Sequence, residues 1–145
     1  MDLLQVITVS HMAHSQHDIL NYEHAKAVAA RVEQDPRAER LHIAAAYLLG
    51  IEQHGNVSGQ DLILLGIEGE VVRAVRALEM RPNETFLAYL RRISEHPVTA
   101  LVGYHNFLQI LGELNEDDDD DLTARFRRAA RELNEAVNIN TPRSG

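Results

Sequence analysis

The sequence predicts an all-α protein, a single-domain bundle of about eight helices, and three observations predict it. Apolar residues recur at helical spacing almost from end to end. No stretch alternates in the manner of a strand, and no repeat or second domain is visible. The breaks between apolar runs carry helix punctuation: Pro36, the Ser58–Asp61 step, Gly66, the Pro82-Asn83 turn and Pro97.

Taken in order, Leu3, Ile7, Met12 and Ala13 predict an amphipathic helix over residues 2–17. Ala25, Val28, Ala29 and Val32 share one face of a second, from about Tyr22 to Val32. Pro36 stands where a first helical turn tolerates proline, and RAERLHIAAAYLL then reads as a third helix, apolar nearly all round and hence central. In HGNVSGQDL, Ser58 is the expected N-cap, with Asp61 in the first turn favoured by the helix dipole. After Gly66, Val71, Val72, Val75 and Leu78 line one face of EGEVVRAVRALEM. Phe86, Leu87 and Leu90 are expected inward in ETFLAYLRRI. HPVTALVGYHNFLQIL is a second strongly apolar helix, opening at Pro97. The acidic stretch 115–121 reads as a linker and helix start. Leu122, Phe126, Leu133 and Val137 then predict a C-terminal helix over 122–137, and 138–145 a flexible tail. The domain is thus expected to span 1–137.

Composition narrows function mostly by exclusion. The 145 residues suit one core, and with 5% aromatics and no Trp that core must be built from Leu, Ile, Val and Ala. With no Cys, disulfides, thiolate metal sites and a cysteine nucleophile are excluded. A net charge of −8 argues against nucleic acid, whose phosphates need basic surface. No run reaches the roughly 18 apolar residues of a membrane span, and the N-terminus lacks signal-peptide features. A cytoplasmic location is expected. The partners expected are a small phosphorylated ligand or another protein, and a homo-oligomer is open.

Several stretches resemble a known family. ETFLAYLRRISEHPVTALVGYHNFLQI resembles the E-x-Y-x-x-Y-L-x-R-I-x-x-N-P-x-A segment of small HD-domain phosphohydrolases, the guanosine tetraphosphate hydrolases of the stringent response and their single-domain cousins. SGQDLILLGIEGEVVRAVRAL is similar to that family's T-x-x-D-L…V-V-x-A-V-x-A-L, and AHSQ (13–16) and NYEH (21–24) to its A-H-x-Q and P-Y-x-x-H elements. The likeness covers about residues 5–112. It implies a helical bundle with one divalent cation, often Mn²⁺, held by His, a His-Asp pair and a late Asp; the cation would polarise a phosphoryl oxygen and acidify bound water.

Carried over position by position, the resemblance keeps the first His as His24. The His-Asp pair falls on Leu49 and Gly50, the supporting Glu-Asp pair on Gln53 and His54, and the late Asp on Asn106. An alternative register puts that Asp on Val102. The family Lys becomes Gly103 in the preferred register. Leu and Gly bring no donor and an amide is a poor ligand, so the expected reading is a scaffold kept and a metal site lost. That implies a catalytically inactive binding or regulatory domain, with a residual nucleotide pocket among His24, His54, Tyr104 and Asn106. Arg91 or Arg92 would meet phosphate. No catalytic residue and no cofactor is assigned.

The alternative is a metal-dependent nucleotide phosphohydrolase with a rearranged site, using Mn²⁺ on His24 with His14 or His54 and Asn106. The stripe His11, His14, His17 otherwise reads as a polar helix face. His42 reads as a core or boundary histidine with a satisfied partner, and His105 as pocket-lining or packed.

Overall fold

A computed structural model describes residues 2–15, 19–51, 57–114 and 120–140, by backbone alone at 13–15, 19–21, 120 and 140. The fold is all-α. Its described helices are α1 (Leu3–Ser15), α2 (Ile19–Glu33), α3 (Arg40–Tyr47), α4 (Gly59–Leu64), α5 (Gly69–Ala77), α6 (Phe86–Ser94), α7 (Pro97–Glu113) and α8 (Asp120–Asn140). None is long and apolar enough to cross a membrane.

Two helices organise the rest, and they are the two that the sequence marks as apolar all round. Helix α3 contacts α1, α2, α5 and α7; α7 contacts α2, α3, α5, α6 and α8. Ala44, Ala45 and Ala46 are all fully buried, so neighbouring helices approach α3 on every side. Gly103 does the same for α7. A Cβ there would come within 2.9 Å of Ile93 Cδ1 and 3.1 Å of Leu133 Cδ1, so its missing side chain lets α6 and α8 close in.

Local signals hold at several termini. Ser58 Oγ accepts from the Asp61 N–H at 3.1 Å, and Asp61 Oδ2 accepts from the Ser58 N–H at 3.0 Å, a reciprocal capping box. Pro97 occupies the first turn of α7. Ala25, Val28, Ala29 and Val32 of α2 are fully buried, as are Val71 and Val75 of α5.

Other expectations need correction. Met12 is 60% exposed; Val6 and Ser10 form the buried line of α1, and the Ser10 hydroxyl is satisfied by the Tyr47 carbonyl at 2.5 Å. Leu87 is 54% exposed, because Tyr89, Leu90 and Ile93 supply the inner arc of α6. Helix α3 begins at Arg40 rather than beside Pro36. Asp35 Oδ1 accepts from the Arg37 N–H at 2.9 Å, a turn that competes with helix there. It ends at Tyr47, so Leu49 and Gly50 lie past it; Gly50, at φ 75°, takes the left-handed conformation that stops helices. The last helix runs past 137 to Asn140, taking in 138–140 of the expected tail.

Candidate functional site

Helices α2 and α7 pack together, and polar residues two turns apart on α2 and one turn apart on α7 form a ladder along their seam. Arg31 Nε donates to Gln109 Oε1 (2.7 Å), and Gln109 Nε2 donates to Glu113 Oε1 (3.0 Å). Glu113 holds His24 Nδ1 at 3.0 Å, and His24 Nε2 meets Asn106 Oδ1 at 2.7 Å. Positions 106, 109 and 113 share one face of α7, as 24 and 31 share one of α2. Burial opposes ionisation of Glu113. The hydrogen bonds from Gln109 and His24 and the charges of His24 and Arg31 outweigh it, holding the carboxyl below its usual value.

The ladder ends in a cavity of about 410 Å³ between α2, the turn after α3, α6, α7 and α8. His24, Leu49, Gly50 and Asn106 line it, together with Tyr89 and all three phenylalanines of the chain. Phe107 stacks on Phe126 with ring centres 5.5 Å apart, and Phe86 stands edge-on to both at 5.8 and 6.0 Å. Such pairs make a stiff wall, because offset and edge-on rings are the favoured arrangements. The cavity therefore has an aromatic side and a hydrogen-bonding corner at His24 and Asn106, with the Glu79 carboxylate on its rim toward the end of α5. Burial pushes the Tyr89 phenol up to about 12, and its hydroxyl donates to the Leu78 carbonyl at 2.5 Å, so it offers the cavity no proton.

The residues fit a divalent cation poorly. Leu49 and Gly50 carry no donor atom, and both ring nitrogens of His24 are already held by Glu113 and Asn106. Among the described residues no group of three or more His, Cys, Asp or Glu could hold a metal ion. Gln53 and His54, with His17 and the side chain of His14, lie outside the described residues. His11 is exposed and edge-on to Tyr22, ring centres 4.7 Å apart.

The sequence-predicted ligand set is divided. His24 and Asn106 meet in the cavity. Tyr104 sits two residues before Asn106, about 200° round the helix, and so lines a different hollow with Arg37, Asp35 and His105. Arg91 is two residues past Tyr89 and is turned outward in the same way; it is exposed and does not line the cavity. Arg92 is committed elsewhere. It makes a forked pair with Glu84 at 2.9 and 3.0 Å and caps the Ala77 and Glu79 carbonyls at 2.5 and 2.8 Å. Its hydrogen bonds pull Glu84 down to about 2.

Two further groups escaped the sequence reading. Glu113 gives no sign in the chain beyond its one-turn spacing from Gln109. The hollow beside Tyr104 holds a clamp: Arg37 donates to both Asp35 oxygens (3.0 and 2.8 Å), to Asn134 (2.8 Å) and to Asn138 (2.9 Å), and lies 5.8 Å from the Tyr104 ring centre. His105, buried, meets Asp35 Oδ2 at 2.8 Å. His42 is buried as expected, and its Nδ1 accepts from the Glu39 N–H at 3.0 Å.

Compared with known proteins, the chain matches no family model and no curated protein.

Proposed function

We propose that the chain is a non-catalytic HD-like domain that acts by binding a small ligand in the His24–Asn106 cavity. One observation carries this reading. Positions 24, 49, 50 and 106, which the resemblance aligns with the family's metal ligands, come from α2, the turn after α3 and α7, and all four line a single cavity. Residues so distant in the chain converge when the helices are arranged as the resemblance implies.

The chemistry of the lining favours binding over hydrolysis. Among the described residues no Lys or Arg lines the cavity, and the donors that would hold a cation are replaced by Leu49 and Gly50. What remains is an aromatic wall and a corner able to bond one polar edge. A flat, largely apolar body with a hydrogen-bonding edge, such as a nucleobase, fits that combination. Its phosphates would have to lie outside, since Arg91 and Arg92 do not line the cavity.

The test has two readings on the full chain. After incubation with Mn²⁺ and desalting, elemental analysis should find far less than one metal per chain; about one equivalent, lost in His24→Ala, overturns the proposal. Nucleosides should raise the melting temperature of the wild type and leave Asn106→Leu unmoved. Equal shifts in both would place the binding elsewhere.

A further inference from the structure

The C-terminal end of α5 gathers three guanidinium groups on one concave surface, which adjoins the cavity above at Glu79 and Met80 but shares none of its polar corner. Arg73 and Arg76 are a turn apart, Arg81 follows in the next turn, and with Glu79 they line a hollow of about 430 Å³. Three cations and the Glu79 carboxylate line it; Glu70 flanks Arg73 on the far side, and Glu84, which feels the charge of Arg81, is itself paired with Arg92. Arg73 and Arg81 are exposed and hold no ion pair with a described residue.

A helix C-terminus normally repels anions, because its unpaired carbonyls carry partial negative charge. Here that repulsion is removed. Arg92 takes the Ala77 and Glu79 carbonyls, and the Tyr89 hydroxyl takes that of Leu78. The turn is also fixed in place: Glu84 holds Arg92 by two bonds and accepts from the Arg81 N–H at 3.1 Å. The guanidinium groups are thus carried by a segment that needs little ordering when a ligand arrives.

We propose that this hollow binds a small, multiply charged phosphoryl anion, either free or carried on an organic ester. Guanidinium forks match phosphate oxygens in pairs, and the hollow has the volume of a small-molecule site. A long polyanion is a poor fit, since it would feel the whole chain's −8. A small ion feels chiefly the charges within about 8–10 Å. Across Arg73 and Ala77 the hollow continues into a less polar groove lined by Leu41, Ala74 and Val98, which would receive an ester's organic part.

Calorimetry on the full chain at low salt, with inorganic pyrophosphate, is the test. Saturable binding at one site per chain is expected, weakening as NaCl is raised. Arg73→Gln with Arg81→Gln should weaken it roughly tenfold or more, whereas Arg127→Gln on α8 should not. Absence of saturable binding, or wild-type affinity in the double variant, overturns the proposal. Phenyl phosphate binding more tightly than inorganic phosphate assigns the site to an ester; equal binding assigns it to the free ion. Asn106→Leu should leave all of these unchanged, so failure here is separable from failure of the cavity reading.

Discussion

Asp35 Oδ2 and His105 Nε2 lie 2.8 Å apart, and through them the turn between α2 and α3 is fastened to the middle of α7. Burial is the main influence on His105 and lowers its pKa; the hydrogen bond it donates to Asp35 raises it but does not win. His42 is lowered too, again by burial first. Both imidazoles are therefore neutral in the folded protein at pH values where the unfolded chain already binds protons. The unfolded state gains protons as pH falls through about 6.5, so stability contributed by these two rings is fully present above that pH and lost below it. Chemical denaturation at pH 7.5 and 5.5 should show a less stable protein at the lower pH. His105→Gln should flatten part of that slope, and an unchanged slope would mean that His105 titrates normally.

Asp35 extends the same argument to lower pH. Bonds from Arg37 hold its carboxyl far below the usual range, so it adds stability above about pH 4 that is lost on further acidification. Asp35→Ala should remove the shared acceptor of Arg37 and His105 and loosen the hold of Arg37 on Asn134 and Asn138. A loss of roughly 2–4 kcal/mol is expected at pH 7 from stranding a partly buried cation, read as a fall in the denaturation midpoint. A loss under about 0.5 kcal/mol would show the clamp to be ornamental.

The contrast between the cavity and this clamp shows what a single sequence reveals. His24 and Asn106 were legible because a motif resemblance singles them out and helical spacing puts each on a definite face. Ser58 and Pro97 were legible because capping and first-turn preferences are decided within four residues. Leu87 and Met12 were misplaced because an amphipathic pattern leaves the edge of the buried arc open, and only the neighbouring helix decides which residue completes it. Arg37, Arg92 and Glu113 were opaque for a different reason. Each lies among ordinary charged surface residues, and what distinguishes it is a partner brought close by folding: Asn134 for Arg37, the Ala77 carbonyl for Arg92, His24 for Glu113.

Arg92 supports a prediction about residue chemistry rather than charge. It pairs with Glu84 through two nitrogens, caps two carbonyls and lies 5.5 Å from the Tyr89 ring centre. Lys would keep the positive charge and lose the fork. Arg92→Lys should therefore destabilise by about 1–2 kcal/mol and Arg92→Met by roughly 2–3 kcal/mol, with the Glu84 carboxyl moving up toward its ordinary value in both. Thermal unfolding and carboxyl NMR titration read the two effects. Wild-type stability in Arg92→Lys would mean that charge alone suffices.

Gly103 yields the sharpest steric test. Its missing Cβ would lie 2.9 Å from Ile93 Cδ1 and 3.1 Å from Leu133 Cδ1, and both of those side chains are fully buried. Ala would gain about 0.5–1 kcal/mol in helix propensity while pushing on two tips that have little room to move, so its net effect should be small. Val adds two further carbons and β-branching in the same place, and Gly103→Val should cost about 2–3 kcal/mol and separate α6 and α8 from α7. Because the Phe86–Phe107–Phe126 wall is built from those three helices, Gly103→Val should also weaken any ligand held in the cavity. Stability within 0.5 kcal/mol of wild type, measured by denaturation, would mean the helices are less tightly closed around Gly103 than these distances imply.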